Sequence, residues 1–296
     1  MLIARRTWLT LDPSGDWFAQ WSQRVPRLTA VVYAAQFGAA TQGGLTVAKS
    51  LTEAGHPEKT LGAVVPSAFA GWVSPSWTDE DGVLLDEYLL GAVAAARGAV
   101  GSESQMLAYG GKVLEGLVSF AVADAAAHAH DVQVAATRNT YSVFTEPGSY
   151  CQRCAVLVGK HYGPGTHVKR HPRCDGVMEA HSDRSSYQLE PATPDRIKDL
   201  TRGQQAALDE GADLNQVLNA KRKGAVFGIY TTEGTTRRGS AYSAIRARHG
   251  AFAETKKAGA RYTATTVGRL SPEAIYSIAT DRTDMIRLLR TYGYIV

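Results

Sequence analysis

Every cysteine of the chain falls between residues 151 and 174, arranged as Cys151-Gln-Arg-Cys154 and His171-Pro-Arg-Cys174. Each is a pair of ligand-type side chains with two residues between partners, and a sixteen-residue loop joins the pairs. A two-residue gap lets a tight turn aim both side chains at one ion, so the spacing predicts a structural zinc site. Three thiolates and one imidazole, from Cys151, Cys154, His171 and Cys174, complete a tetrahedron with no position open for water. If His171 is not a ligand, then His167, Asp175 or His181 would replace it, and His181 is the best placed of these. A stretch poor in apolar mass that binds a metal gains folding free energy directly from the ion.

Other chemistry at this cluster fits less well. A redox dithiol of the Cys-x-x-Cys type needs a βαβ setting, which is missing here. A deaminase zinc site needs Pro-Cys-x-x-Cys, but Tyr150 precedes the first cysteine. A zinc-supported nuclease would use histidines near the metal, such as His161 or His167. The chain has no Gly-x-Ser-x-Gly, phosphate-binding loop or His-Glu-x-x-His motif.

Around the cluster, hydrophobic periodicity divides the chain in two. Residues 1–136 read as a helical domain and residues 137–296 as a smaller α+β domain, giving an α+β fold that is predominantly α. Ser14 and Asp16 are the candidate caps of a first helix that Pro26 kinks or breaks, and helical spacing resumes from Arg27 to about Leu51. Asp79-Glu-Asp81 starts a helix with apolar face Val83, Leu84, Tyr88, Leu89 and Val93, and a long helix runs from about Glu103 to Val134. The apolar run Val156-Leu-Val158, followed by Gly159-Lys-His-Tyr-Gly-Pro-Gly165, reads as a strand or hairpin folded around the zinc knuckle. Two short helices span 201–221 around Gly211, Tyr230–Gly239 is an exposed loop, Ser271-Pro272 starts a helix, and the apolar end Tyr292–Val296 is docked. No uninterrupted apolar run reaches 18 residues, so no membrane span is expected.

Charge is uneven. Residues 1–194 carry 15 Lys and Arg against 18 Asp and Glu, whereas residues 195–296 carry 17 against 10. The basic C-terminal third suits a phosphate-bearing or acidic partner, with Lys221, Arg222, Lys223, Arg237 and Arg238 as its candidate contacts. A tight cysteine cluster of odd number fits a reducing compartment.

The motif Tyr150-Cys151-x-x-Cys154-Ala-Val-Leu-Val-Gly159-Lys-His-Tyr162, followed by Lys169-Arg-His-Pro-Arg-Cys174-Asp175, resembles the signature of phage Mu F-like minor head proteins. The segments 210–222, 230–239 and 287–295 look like members from tailed phages of actinobacterial hosts, so the resemblance covers roughly residues 140–296. Gly176 stands where that family places a last cysteine. The resemblance implies a non-enzymatic virion component inside the capsid near the portal, made in the host cytoplasm. Its partners would be portal, capsid and scaffold proteins and packaged double-stranded DNA, with no membrane. Similar proteins are often labelled capsid maturation proteases, which leaves protease and nuclease as the alternative readings.

Overall fold

The computed structural model describes residues 2–55, 59–74, 82–146, 148–166, 168, 171, 176–182, 190–221 and 224–295. The architecture is α+β and mainly α. The chain forms two compact units, Met1–Pro147 with Gly159–Glu190, and Gly148–Val158 with Pro191–Val296. This division does not coincide with a boundary at 136/137, because residues 137–147 and 159–190 belong with the helical part.

The first unit contains α1 (Leu2–Trp8), α2 (Trp17–Glu53), β1 (Trp72–Val73), β2 (Val83–Leu84), α3 (Leu85–Arg97), α4 (Glu103–Ala135) and β3 (Tyr141–Thr145). Asp16 starts α2 by accepting from the Phe18 and Ala19 amides at 2.9 and 3.3 Å. Pro26 lies inside α2 and does not end it. Its ring is on the exposed side, while Trp21, Val25, Leu28 and Val32 continue one buried stripe past it. Burial of that stripe outweighs the lost backbone donor. Ser102 and Gln105 cap α4 reciprocally. Helix α3 begins at Leu85, with Asp86 and Glu87 in its first turn. Leu84 is exposed, and the buried face is Leu85, Tyr88, Leu89, Ala92, Val93 and Ala96. The expected helix start at 79–81 lies outside the described residues.

Helices α2 and α4 run side by side in the same direction. Gln36 is fully buried and donates to the Trp72 and Ala121 carbonyls at 2.9 and 3.2 Å, while its own oxygen accepts from the Gly71 amide at 2.9 Å. Further along, Gly43 of α2 lies against the backbone of Ala126, so close that a Cβ there would collide with the Ala126 carbonyl. Gly38, in the same helix, has open space in that direction. The two glycines should therefore respond oppositely to alanine. Gly38→Ala should stabilise by about 0.5–1 kcal/mol through helix propensity. Gly43→Ala should destabilise by about 1–3 kcal/mol through overpacking. Urea unfolding of the two variants checks this, and equal signs would contradict the packing.

Helix α4 meets the length and hydropathy of a membrane span, with a mean hydropathy of 1.3 over its most apolar 18-residue window. Searching for an unbroken apolar run overlooks it, because Lys112, Glu115 and Asp124 interrupt the run while the average over the window stays high. Here α4 serves as a core helix packed by α2 and α3. Its remaining apolar face borders a groove of about 1300 Å³ shared with α2.

After β3 the second unit takes α5 (Gln152–Ala155). The chain then returns to the first unit for β4 (His161–Tyr162) and β5 (Val177–His181). Strand β3 is central, antiparallel to both, with Val143 opposite His161 and Glu179, and Tyr141 opposite His181. Of the strand or hairpin expected over 156–165, His161–Tyr162 forms β4, whereas Val156–Val158 is not a strand. The Cys151 cap starts a helical turn, and the chain continues from it as turns.

The rest of the second unit contains α6 (Arg202–Asp209), α7 (Leu214–Asn219), β6 (Val226–Phe227), β7 (Tyr230–Thr231), α8 (Tyr242–His249), β8 (Glu254–Thr255), β9 (Ala264–Thr265), β10 (Arg269–Leu270), α9 (Pro272–Ile278) and α10 (Arg282–Thr291). Thr201, Asp213, Ser271 and Asp281 are N-caps, each accepting from a backbone amide. Tyr230–Gly239 is not wholly an exposed loop, since β7 pairs with β6 and β10 and both Thr231 and Thr235 are buried. Tyr294, fully buried, docks the chain end by donating to the Leu270 carbonyl at 2.9 Å.

Candidate metal centre

Cys151 is the N-cap of the single-turn helix α5, where its sulfur accepts from the Cys154 amide at 3.2 Å. The turn brings Cys154 back over Cys151, and Cys154 is 1% exposed. The segment carrying the pair is anchored on both sides. The Tyr150 amide donates to the Arg196 carbonyl at 2.6 Å, and the Lys198 amide donates to the Tyr150 carbonyl at 2.7 Å. The Arg196 guanidinium covers the Tyr150 ring at 4.4 Å and donates to the Gly148 carbonyl at 2.8 Å. Gln152 donates to the Asp199 carbonyl at 2.6 Å and accepts from Gln204 at 3.1 Å.

His171 completes a group of three. The ligand atoms of Cys151, Cys154 and His171 all lie within 4.8 Å of one another. Ligands about 2.3 Å from one ion at tetrahedral angles stand about 3.8 Å apart, so this separation suits a shared metal. Two sulfurs and an imidazole are a soft donor set, matched to zinc and poorly matched to magnesium or calcium. Cys174, the expected fourth ligand, lies outside the described residues, as do His167 and Asp175. Residue 176 supplies no ligand. Gly176 faces the Phe144 ring, and a Cβ there would collide with it.

His181 does not join this group among the described residues. It sits on β5 against the Tyr141 ring at 5.8 Å, with Glu179 at 3.9 Å. Burial holds its pKa below the ordinary imidazole value. Glu179 pulls in the opposite direction, and His161 pushes it further down. His161, on β4, packs edge-on against the same Tyr141 ring at 4.6 Å.

The candidate partner contacts divide differently. Lys221 is half-engaged, its ammonium 2.9 Å from Glu273, which also accepts from the Thr201 hydroxyl at 2.6 Å. Charge counting cannot supply this pairing, because the acid is 52 residues away in sequence. Arg222 and Lys223 lie outside the described residues, and Arg237 and Arg238 are exposed. Sequence reasoning missed the surroundings of those two arginines. Tyr262 lies beneath two guanidiniums, Arg238 at 4.7 Å and Arg261 at 5.4 Å from its ring centroid. The available signal was the run from 255 to 272, which contains Lys256, Lys257, Arg261 and Arg269 and no acid.

Comparisons with protein families, with curated proteins and with solved structures found no match.

Proposed function

We propose that this chain is a structural minor head protein of a tailed phage, with a zinc-stapled knuckle. Cys151, Cys154, His171 and Cys174 hold the ion, and the protein works inside the capsid near the portal. The observation that carries the reading is the convergence of Cys151, Cys154 and His171, since these are the residues on which the resemblance to the Mu F-like family rests. A thiolate-rich set favours a closed, shape-holding ion over a catalytic one. Portal, capsid and scaffold proteins are the proposed partners of the helical part, and packaged duplex DNA that of the basic part. Protease and nuclease activities are the weaker readings, because the metal group contains no carboxylate among the described residues to act as acid or base.

Gradient-purified heads from cells producing the phage test this directly. The chain should sediment with heads at low copy number, and a Cys154→Ser chain should be under-incorporated. Normal heads that lack the chain would refute the assignment.

A further inference from the structure

The hairpin formed by β8 and β9 carries more positive charge than its fold requires. Its strands pair Glu254 with Thr265 and Thr255 with Ala264. Its tip turns at Lys257–Ala260, with Gly259 at φ 77°. The preceding loop lies alongside: Thr236 bridges Ala264, and the Arg237 amide donates to the Thr263 carbonyl at 2.8 Å. Two segments about twenty residues apart in sequence thus present Arg237, Arg238, Lys256, Lys257 and Arg261 together, all exposed. Among the described residues none of the five forms an ion pair. The acid at the hairpin base, Glu254, is taken by Arg246. The Tyr262 ring holds two of the guanidiniums within about 10 Å of each other. Crowding five unpaired cations is unfavourable unless a polyanion meets them.

We propose that this hairpin surface, Arg237, Arg238, Lys256, Lys257 and Arg261 arranged around Tyr262, binds the phosphate backbone of duplex DNA without regard to sequence. It names the DNA-contacting surface of the head protein proposed above, but it stands on its own charges. DNA binding without head incorporation would sink only the head assignment. A duplex is favoured over a single strand because two guanidiniums already engage the Tyr262 ring, the aromatic within the patch on which bases would otherwise stack. Duplex DNA presents one charge per about 1.7 Å of its axis, a density that several closely spaced cations can neutralise together.

The test is fluorescence-anisotropy titration of the full chain with two unrelated duplexes of equal length at several salt concentrations. Both duplexes should bind equally. The plot of log affinity against log salt should slope at about −4.5 if all five cations contact phosphate. Replacing Arg238, Arg261, Lys256 and Lys257 with glutamine should flatten the slope by about one per residue, whereas Arg238→Lys with Arg261→Lys should leave it nearly unchanged. If the fourfold variant fails to fold, the loop pair Lys256→Gln and Lys257→Gln carries the same test with a change of about 2. Lys49→Gln, far along the chain on α2, is the control and should change nothing. Three results would overturn the proposal: no duplex binding at about 50 mM salt, tighter binding to single strands or to anionic vesicles than to duplex, or a slope unaltered by the glutamine variants.

Discussion

Replacing both Cys151 and Cys154 with serine will lower the thermal midpoint of this protein by about 10 °C, and a strong chelator will do the same to the unaltered chain. Little apolar mass holds the neighbouring sheet together. Strand β4 has two residues, and β3 and β5 have five each. The core next to β5 is a small cluster of Val47, Leu51, Val134 and Ala180. A metal that binds only the folded arrangement adds RT ln(1 + [L]/Kd), about 4 kcal/mol when free metal exceeds Kd a thousandfold. At about 2–4 °C per kcal/mol for a unit of this size, the shift follows. Differential scanning calorimetry with and without chelator checks it. Serine keeps the size of cysteine but ligates zinc poorly, so a loss caused by packing alone would be small. A variant that melts like the parent and ignores chelator would show that the cysteines merely fill space.

The second large effect belongs to Arg269. This side chain is fully buried on β10 and, among the described residues, has no carboxylate partner at hydrogen-bonding distance. Its guanidinium donates to the Tyr292 carbonyl at 3.0 Å, the Gly293 carbonyl at 3.4 Å and the Gln216 side chain at 2.8 Å, and it lies 3.9 Å over the Tyr294 ring. The two carbonyls follow the end of α10, where a cation also meets the negative pole of the helix dipole. Burial lowers the pKa of Arg269, while Tyr294, Glu233 and Asp213 pull it back up. Such a charge adds little net stability against an apolar design, yet removing it from a site built around it is costly. Arg269→Ala leaves acceptors without donors and opens a cavity, for an expected loss of about 3–5 kcal/mol. Arg269→Lys should recover only part of this, because an ammonium cannot span three acceptors set out for a planar fork. Urea midpoints of the three proteins provide the measurement. A loss below about 1 kcal/mol for the alanine variant would mean that α7, α10 and the chain end do not depend on this residue.

What the sequence discloses here follows from the range of the forces involved. The caps at Asp16, Thr201, Ser271 and Asp281 are legible because a side chain and a backbone amide two or three residues apart decide them. The metal pairing is legible for the same reason, with Cys151 and Cys154 on one turn and His171 in the next loop. Long-range pairings leave no such trace. The union of Arg238 with Tyr262, the pairing of two-residue strands and the capture of Lys221 by Glu273 each depend on how distant segments meet. Leu84 and Leu85 show the limit of periodicity, since neighbouring leucines offer it equal evidence and only the packing of α3 decides which is buried. Pro26 shows propensity losing to burial. The course of 148–158, which packs with 191–296 while its flanks pack with the helices, has no local signature at all.

Metal analysis of the freshly purified full chain, by elemental mass spectrometry with X-ray absorption at the zinc edge, decides whether the cysteine turn holds an ion. One zinc per chain is expected, with sulfur and imidazole scatterers at about 2.3 and 2.0 Å, and none in the Cys151→Ser, Cys154→Ser protein. A parent chain without stoichiometric metal, or one whose ion has only oxygen ligands, would contradict this expectation.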